Sequence, residues 1–339
     1  MKLFKNIKNW LENQEHLFYL FLFILIVPNL VLCLTEPLPL MAKVCNVLLP
    51  FGCYYLLMTL SRNCGKMLWI LFLFLFFGAF QIVLLYLFGQ SIIAVDMFLN
   101  LVTTNSSEAL ELLDNLTPAI IAVIVLYVPS LILGTISIVR KRKLTAEFIR
   151  RERKRASIVF GISLLSLVGA YVQDPGYELK SDLYPLNVCY NVGLAFQRTA
   201  LTQNYHRTSK DFTFHALPTH LKEKREVYVM VVGETSRALN WQLYGYERET
   251  NPFLSRQSGL IAFPKVLTES NTTHKSVPML MSDATACNYD SIYHQKGIIT
   301  AFKEAGFRTA FFSNQRYNHS FIDFFGMEAD TYDLSLIHI

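Results

Sequence analysis

Two side chains 39 residues apart, the carboxylate of Glu234 and the hydroxyl of Thr273, are of types that could share one metal ion. Glu234 follows Gly233 and the run Val227 to Val232, whose continuous apolar, β-branched character is that of a strand buried on both faces. A carboxylate on a tight turn after such a strand is a hard oxygen ligand for zinc, manganese or magnesium. The same position also suits a first-turn acid of a following helix. Thr273 stands in Asn271-Thr272-Thr273-His274-Lys275-Ser276-Val277-Pro278. A Thr hydroxyl is a weak nucleophile until a metal or base lowers its pKa. If a helix starts here, its N-terminal amides favour an anionic phosphoryl group. The plain alternative is that Thr272 or Thr273 is simply an N-cap. His274, His294 and His319 are further candidates for phosphate or metal contact, although a lone His is more often a surface or structural residue.

The elements that would position these residues alternate from residue 226 onward. Val227 to Val232 reads as a strand, and a helix through Ala238 and Leu239 follows it. Residues 261–267 read as a weaker strand, with Pro264 pointing to an edge. Ile298 to Ala305 reads as a helix stopped by Gly306, and Arg308 to Phe312 as another strand that ends in Ser313-Asn314-Gln315. This order implies a largely parallel α/β sheet. Ligands bind such sheets beyond the carboxyl ends of the strands, where Glu234 and Asn314 fall.

The rest of the chain is of another kind. Hydrophobic residues make up 52% of the sequence and crowd into the first 172 positions. Five apolar stretches, about 17–34, 44–60, 67–88, 118–139 and 156–172, approach the roughly 20 residues needed to cross a bilayer. Segment 140–155 carries nine Lys or Arg against two acids, whereas 89–117 carries four acids and no Lys or Arg. The positive-inside rule then puts 140–155 in the cytoplasm and everything after 172 outside it. The net charge of +5 is no nucleic-acid signature, because the basic residues cluster beside apolar runs. Among the six cysteines no metal-ligand spacing occurs, and Cys189 and Cys287 could pair only if they meet in space. Asn100, Thr104 and Glu108 follow at i, i+4 and i+8. On a helix they share one face, either a solvated polar stripe or a ledge that holds a lipid headgroup. Leu186 to Thr199 could form an amphipathic helix lying on the bilayer.

Gly233-Glu234-Thr235-Ser236-Arg237, then Gly245 to Pro252 (Gly-Tyr-Glu-Arg-Glu-Thr-Asn-Pro), then Thr273 with Ser276-Val277-Pro278 resembles the membrane phosphoethanolamine transferases. These belong to the alkaline phosphatase and sulfatase superfamily, and include the lipid A (lipopolysaccharide) modifying enzymes behind polymyxin resistance. The resemblance implies a zinc cofactor, with Mn2+ or Mg2+ as alternatives. It makes Glu234 a metal ligand, and Thr273 both a ligand and the nucleophile that becomes phosphoethanolaminylated. It matches Asn100, Thr104 and Glu108 to the family's headgroup-binding positions, and sets Asn314, Asn318 or His319 near the substrate phosphate. It implies phosphatidylethanolamine as donor and a lipid A phosphate or surface glycan as acceptor. The place of action would be the bacterial inner membrane, with the catalytic domain on the periplasmic side. Many relatives flank the nucleophile with a disulfide-forming Cys pair. Here Glu269 and Met279 take those places, so the loop is expected to be held by packing.

The expected architecture is therefore a multi-pass α-helical membrane domain of five spans (1–172), an amphipathic bridging linker (173–225) and an incomplete α/β sulfatase-like domain (226–333). Relatives draw further metal ligands from a C-terminal half without counterpart here, so the natural protein is expected to continue past Asp333 and this chain alone to be inactive. Residues 334–339 read as a non-native tail, which leaves His338 without function. Two other functions share parts of this pattern, a phosphoglycerol transferase of the lipoteichoic-acid-synthase type and a non-catalytic lipid-binding membrane protein.

Overall fold

The computed structural model describes residues 10–88, 93–94, 106–219, 225–233, 236–315, 317 and 319–334, with backbone alone at 88 and 106–115. The chain divides into two compact units, Met1–Phe196 and Gln197–Ile339.

The first unit is helical. Helices α1 (Gln14–Thr35), α2 (Leu40–Met58), α5 (Ser106–Val139) and α6 (Ala146–Gln173) are each long and apolar enough to cross a membrane. The expected third span is broken: α3 (Cys64–Ile70) and α4 (Phe72–Phe88) meet at 63°, and counting them as one gives five spans. Asn63 caps α3 by accepting from the Lys66 amide at 2.7 Å. Its Nδ2 also donates to the carbonyls of Ser137 (3.2 Å) and Arg142 (2.8 Å), tying this turn to the end of α5. Backbone approach is closest where α3 meets α5. A Cβ on Gly65 would stand 2.2 Å from the Gly134 carbonyl oxygen, so only glycine fits. Phe18, Phe21, Leu25, Met58, Leu68 and Phe148 fill the core, while large apolar side chains such as Phe76, Val125 and Leu165 face outward, as lipid demands.

Polar side chains lock the segment after α6 onto this bundle. Asn46 Nδ2 donates to the Asp182 carbonyl at 2.6 Å, and its Oδ1 accepts from the Tyr177 hydroxyl at 2.5 Å. Asn29 Nδ2 donates to the carbonyls of Asn46 and Tyr184, both at 2.8 Å. Two further helices, α7 (Leu179–Asp182) and α8 (Leu186–Gln203), lie within the stretch expected as a linker.

The second unit is built on one aromatic core. Tyr205, in the short α9 (Tyr205–Thr208), stacks on Phe324 at 5.4 Å with the rings 3° apart. Met279, Met281, Ile292, Tyr293, Phe321 and Phe325 surround them. After α10 (Pro252–Ser255) come α11 (Thr273–Leu280), α12 (Ile298–Glu304), β1 (Ala310–Phe312), α13 (Phe321–Gly326) and β2 (Thr331–Asp333). The two strands pair in parallel, Ala310 against Thr331 and Phe312 against Asp333. As expected, α12 ends before Gly306, whose φ of 87° is the left-handed C-terminal conformation.

Two expected strands do not form. Residues 227–232 form no strand and have no strand partner among the described residues, with Val227 72%, Val229 79% and Val231 85% exposed. A continuous apolar run becomes a strand only with partners on both sides, and the described residues supply none. Tyr228 alone finds company, its ring 5.8 Å from those of Phe302 and Phe307. Residues 261–267 are likewise irregular and exposed. The helix expected through Ala238 and Leu239 is a single 3-10 turn, Ala238–Asn240.

Candidate functional site

Thr273 is the first residue of α11, and Thr272 takes the N-cap position in front of it. The Thr272 carbonyl accepts from the amides of Lys275 (3.1 Å) and Ser276 (2.9 Å), which starts the helix. The Thr272 hydroxyl lies 3.1 Å from that of Ser270, whose Oγ also accepts from the Thr272 amide at 3.3 Å. Thr272 thus holds the N-cap position without a side-chain capping hydrogen bond, and the exposed Thr273 side chain sits in the first turn, the positive end of the helix dipole. At the other end Pro278 and Met279 are buried, and α11 packs against α13. The Ile298 amide donates to the Met281 carbonyl at 2.7 Å, fixing the exit from α11 to the start of α12.

The loop before Thr273 is held by more than packing. Glu269 accepts a hydrogen bond from the Ala286 amide, closing 269–286 across the entry to α11. Glu269 therefore makes a polar link from the place where a cysteine was looked for. All six cysteines are free.

The remaining expected residues are placed as follows. Asn314 and His319 are exposed on the loop between β1 and α13, where His319 adopts a φ of 60° and its ring packs on Tyr317 at 4.4 Å. His294 ends the 3-10 segment Ala286–Tyr293 and is exposed. Glu234, Asn100, Thr104 and Asn318 lie outside the described residues. Glu108 lies in α5, within the part described by backbone alone. Among the described residues, no group of three or more His, Cys, Asp or Glu could hold a metal ion. The described residues alone do not complete a closed zinc site, which takes four ligands in structural sites and three plus water in catalytic ones.

One feature was missed by reading the sequence. A hollow of about 290 Å³ is lined by Ser236, Arg237, Asn240, Trp241, Thr250 and Asn251, immediately after Glu234 in the chain. Trp241 Nε1 donates to Ser236 Oγ at 2.6 Å, and Thr250 Oγ1 donates to the Asn240 carbonyl at 2.7 Å while accepting from the Gln242 amide at 3.1 Å. Gly245, with a φ of 97°, makes the turn between these segments. The Gly245 to Pro252 motif was the available signal, since Thr and Asn before Pro mark a hydrogen-bonded turn.

In the aromatic core of the second unit Glu328 is a carboxylate with three donors. Glu328 accepts from the Tyr205 hydroxyl (2.8 Å), the Gly297 amide (2.9 Å) and the Thr300 hydroxyl (2.8 Å). Burial pushes its pKa above the ordinary carboxylate value, and those three hydrogen bonds pull it part of the way back. Glu304 and Asp330 go the other way. The amides of Ala216 and Phe214 hold Glu304 low, and the Thr309 amide with Lys303 does the same for Asp330.

Comparison with known proteins gives the class first. Residues 226–336, which include α11 and both strands, match the family described as Sulfatase. Within that class the similar proteins are transferases. The chain is 38% identical over 95 residues to the phosphoethanolamine transferase EptA of Escherichia coli, a stretch covering 27% of this chain and 17% of that protein. It is 33% identical over 91 residues to the putative transferase YhbX of Escherichia coli, covering 26% and 17%. It is 29% identical over 135 residues to the phosphatidylethanolamine transferase Mcr-1 of Escherichia coli, covering 38% and 24%. The matched stretches thus span about a sixth to a quarter of those relatives. No solved structure matches the chain. The resemblance to sulfatase-family phosphoethanolamine transferases holds over this part of the molecule, behind a set of apolar helices suited to a membrane.

Proposed function

We propose that this protein transfers phosphoethanolamine from phosphatidylethanolamine to a lipid A phosphate or surface glycan, through a phospho-threonine at Thr273. The observation that carries the reading is an exposed threonine at the first position of α11, within the sulfatase-matching segment. Thr273 Oγ1 forms a bond to phosphorus as the bond from phosphorus to the diacylglycerol oxygen breaks. Diacylglycerol leaves with the threonine proton. An oxygen of the acceptor then takes the phosphorus, and its proton returns to Thr273. The first turn of α11 sets partial positive charge beside the phosphoryl oxygens in both steps.

Glu234 is the carboxylate this reading gives to a zinc ion, or to manganese or magnesium. Because a carboxylate and a hydroxyl do not complete a metal site, the chain alone is proposed to lack activity. Asn100, Thr104 and Glu108 are assigned to the lipid headgroup, with Asn314 and His319 near the substrate phosphate. The membrane domain (1–172), bridge (173–225) and catalytic segment (226–333) are proposed to lie in the bacterial inner membrane with the last on the periplasmic side, a polarity supported by the cations of 140–155.

The test is Thr273→Ala in the protein as expressed in its own host, assayed for headgroup transfer from labelled phosphatidylethanolamine. Transfer should vanish with expression and membrane insertion unchanged. Transfer at the normal rate would remove Thr273 from the mechanism.

A further inference from the structure

The first turns of α6 carry more positive charge than the bundle uses. The stretch Arg140 to Arg155 holds nine Lys or Arg and two acids. Of those acids Glu152 is wholly buried, where it accepts from the Tyr55 hydroxyl, from Arg151 Nε at 2.8 Å and from Arg155 Nη1 at 3.0 Å. Arg140 and Arg142 lie 3.7 Å from Glu12, and Arg153 donates to the Thr59 carbonyl at 2.8 Å. Arg150 and Lys154 are exposed and form no ion pair among the described residues.

What lies above them on the helix is apolar and uncovered. Lys154, Ile158, Ile162 and Leu165 follow at i, i+4, i+8 and i+11, which places them on one face of α6. Ile158 is 55% exposed, Ile162 54% and Leu165 71%, and Val168 and Val172 continue the stripe. A cationic foot thus stands under an exposed apolar column, with no charge between Ile158 and Val172. The exposed acid, Glu147, lies two turns on the other side of Lys154, away from the apolar part.

We propose that this face of α6 is a binding site for an anionic phospholipid, its phosphate, not offset by any headgroup ammonium, held by Arg150 and Lys154 and its acyl chains laid along Ile158, Ile162 and Leu165. Charge complementarity selects the occupant. A zwitterionic lipid would use the apolar column equally well, but its ammonium offsets the phosphate charge and competes with the two cations for it. Each Lys or Arg near an anionic lipid surface strengthens binding about five-fold, so two together should give about 30-fold selection over a neutral headgroup. The site is independent of the transfer reaction proposed above.

The experiment uses the full chain in detergent, with retained lipid measured by native mass spectrometry after exposure to equal phosphatidylglycerol and phosphatidylethanolamine. The protein should keep phosphatidylglycerol preferentially. The pair Arg150→Gln with Lys154→Gln should lose that preference by about 30-fold, while the charge-keeping pair Arg150→Lys with Lys154→Arg retains it. Lys43→Gln, far along the chain on α2, should change nothing. Equal retention of the two lipids by the unmodified chain would overturn the proposal. So would a preference that survives the Gln pair, or one that the charge-keeping pair loses.

Discussion

Replacing Glu328 tests how the segment Gly297 to Thr300 is tied to Tyr205 in the second unit. Glu328→Ala strands two buried donors, the Gly297 amide and the hydroxyl of Tyr205, which is 2% exposed. An unsatisfied buried donor costs about 1–3 kcal/mol, so the two together should cost about 2–6 kcal/mol. That is a large share of the ~5–15 kcal/mol that stabilises a typical domain. Glu328→Gln keeps an acceptor in place and should cost far less. The two forms also part in their pH dependence. Because burial raises the native pKa of Glu328 above its ordinary 4.5, the protonated acid favours the folded state. Its contribution is full below the unfolded value and is lost as pH rises through the native one. Glu304 and Asp330, whose values are lowered, give the opposite slope, so the informative quantity is the difference between wild type and Glu328→Gln at each pH. Amide hydrogen exchange of α11 and of Gly297 reads it locally. Protection in Glu328→Ala equal to wild type, or a wild type that gains on the Gln form as pH rises, would refute the reasoning.

Three other perturbations follow from the geometry. Gly65→Ala forces a Cβ onto the Gly134 carbonyl, which no side-chain rotation relieves. It should cost about 1–3 kcal/mol, seen as a lower melting temperature in detergent. Asn46→Ala removes the acceptor of the buried Tyr177 hydroxyl and the donor to the Asp182 carbonyl. Cleavage within 174–185 by limited proteolysis should speed up about five-fold or more, given ~1–3 kcal/mol for the stranded group. Glu304→Gln removes a carboxylate held low by two amides. The stability that carboxylate confers is present above its unfolded pKa and lost as pH falls through the native one, so wild type should lose exchange protection at 214–216 on acidification and the variant should show a flat profile there.

The sequence was most legible where each element carries its own signal. The apolar stretches needed only length and composition to be found, and α12 needed only the glycine that ends it. The break at Leu71 left no mark, because the apolar run passes through it without proline, glycine or charge. A strand is different again, since it is defined by its neighbours. Val227 to Val232 has the composition of a central strand, yet no described residue pairs with it. Around Thr273 the local helix start could be read from the residues, but which of two adjacent threonines takes the N-cap position could not. The Thr272 carbonyl, which accepts from the Lys275 and Ser276 amides, fixes it. The Glu269 link to Ala286 joins residues 17 apart through a backbone amide, and backbone donors leave no trace in side-chain spacing.

The chemistry proposed here turns on whether phosphorus ever becomes attached to Thr273. Incubating the protein as expressed in its own host with phosphatidylethanolamine, quenching in acid and mapping the peptide spanning 271–280 by mass spectrometry answers this directly. A phosphoethanolamine increment on Thr273 is the expected result, absent when the lipid is omitted. A phosphoglycerol increment from mixed lipids would transfer the mechanism to another donor, and labelled acceptor formed with Thr273 unmodified at every time point would contradict it.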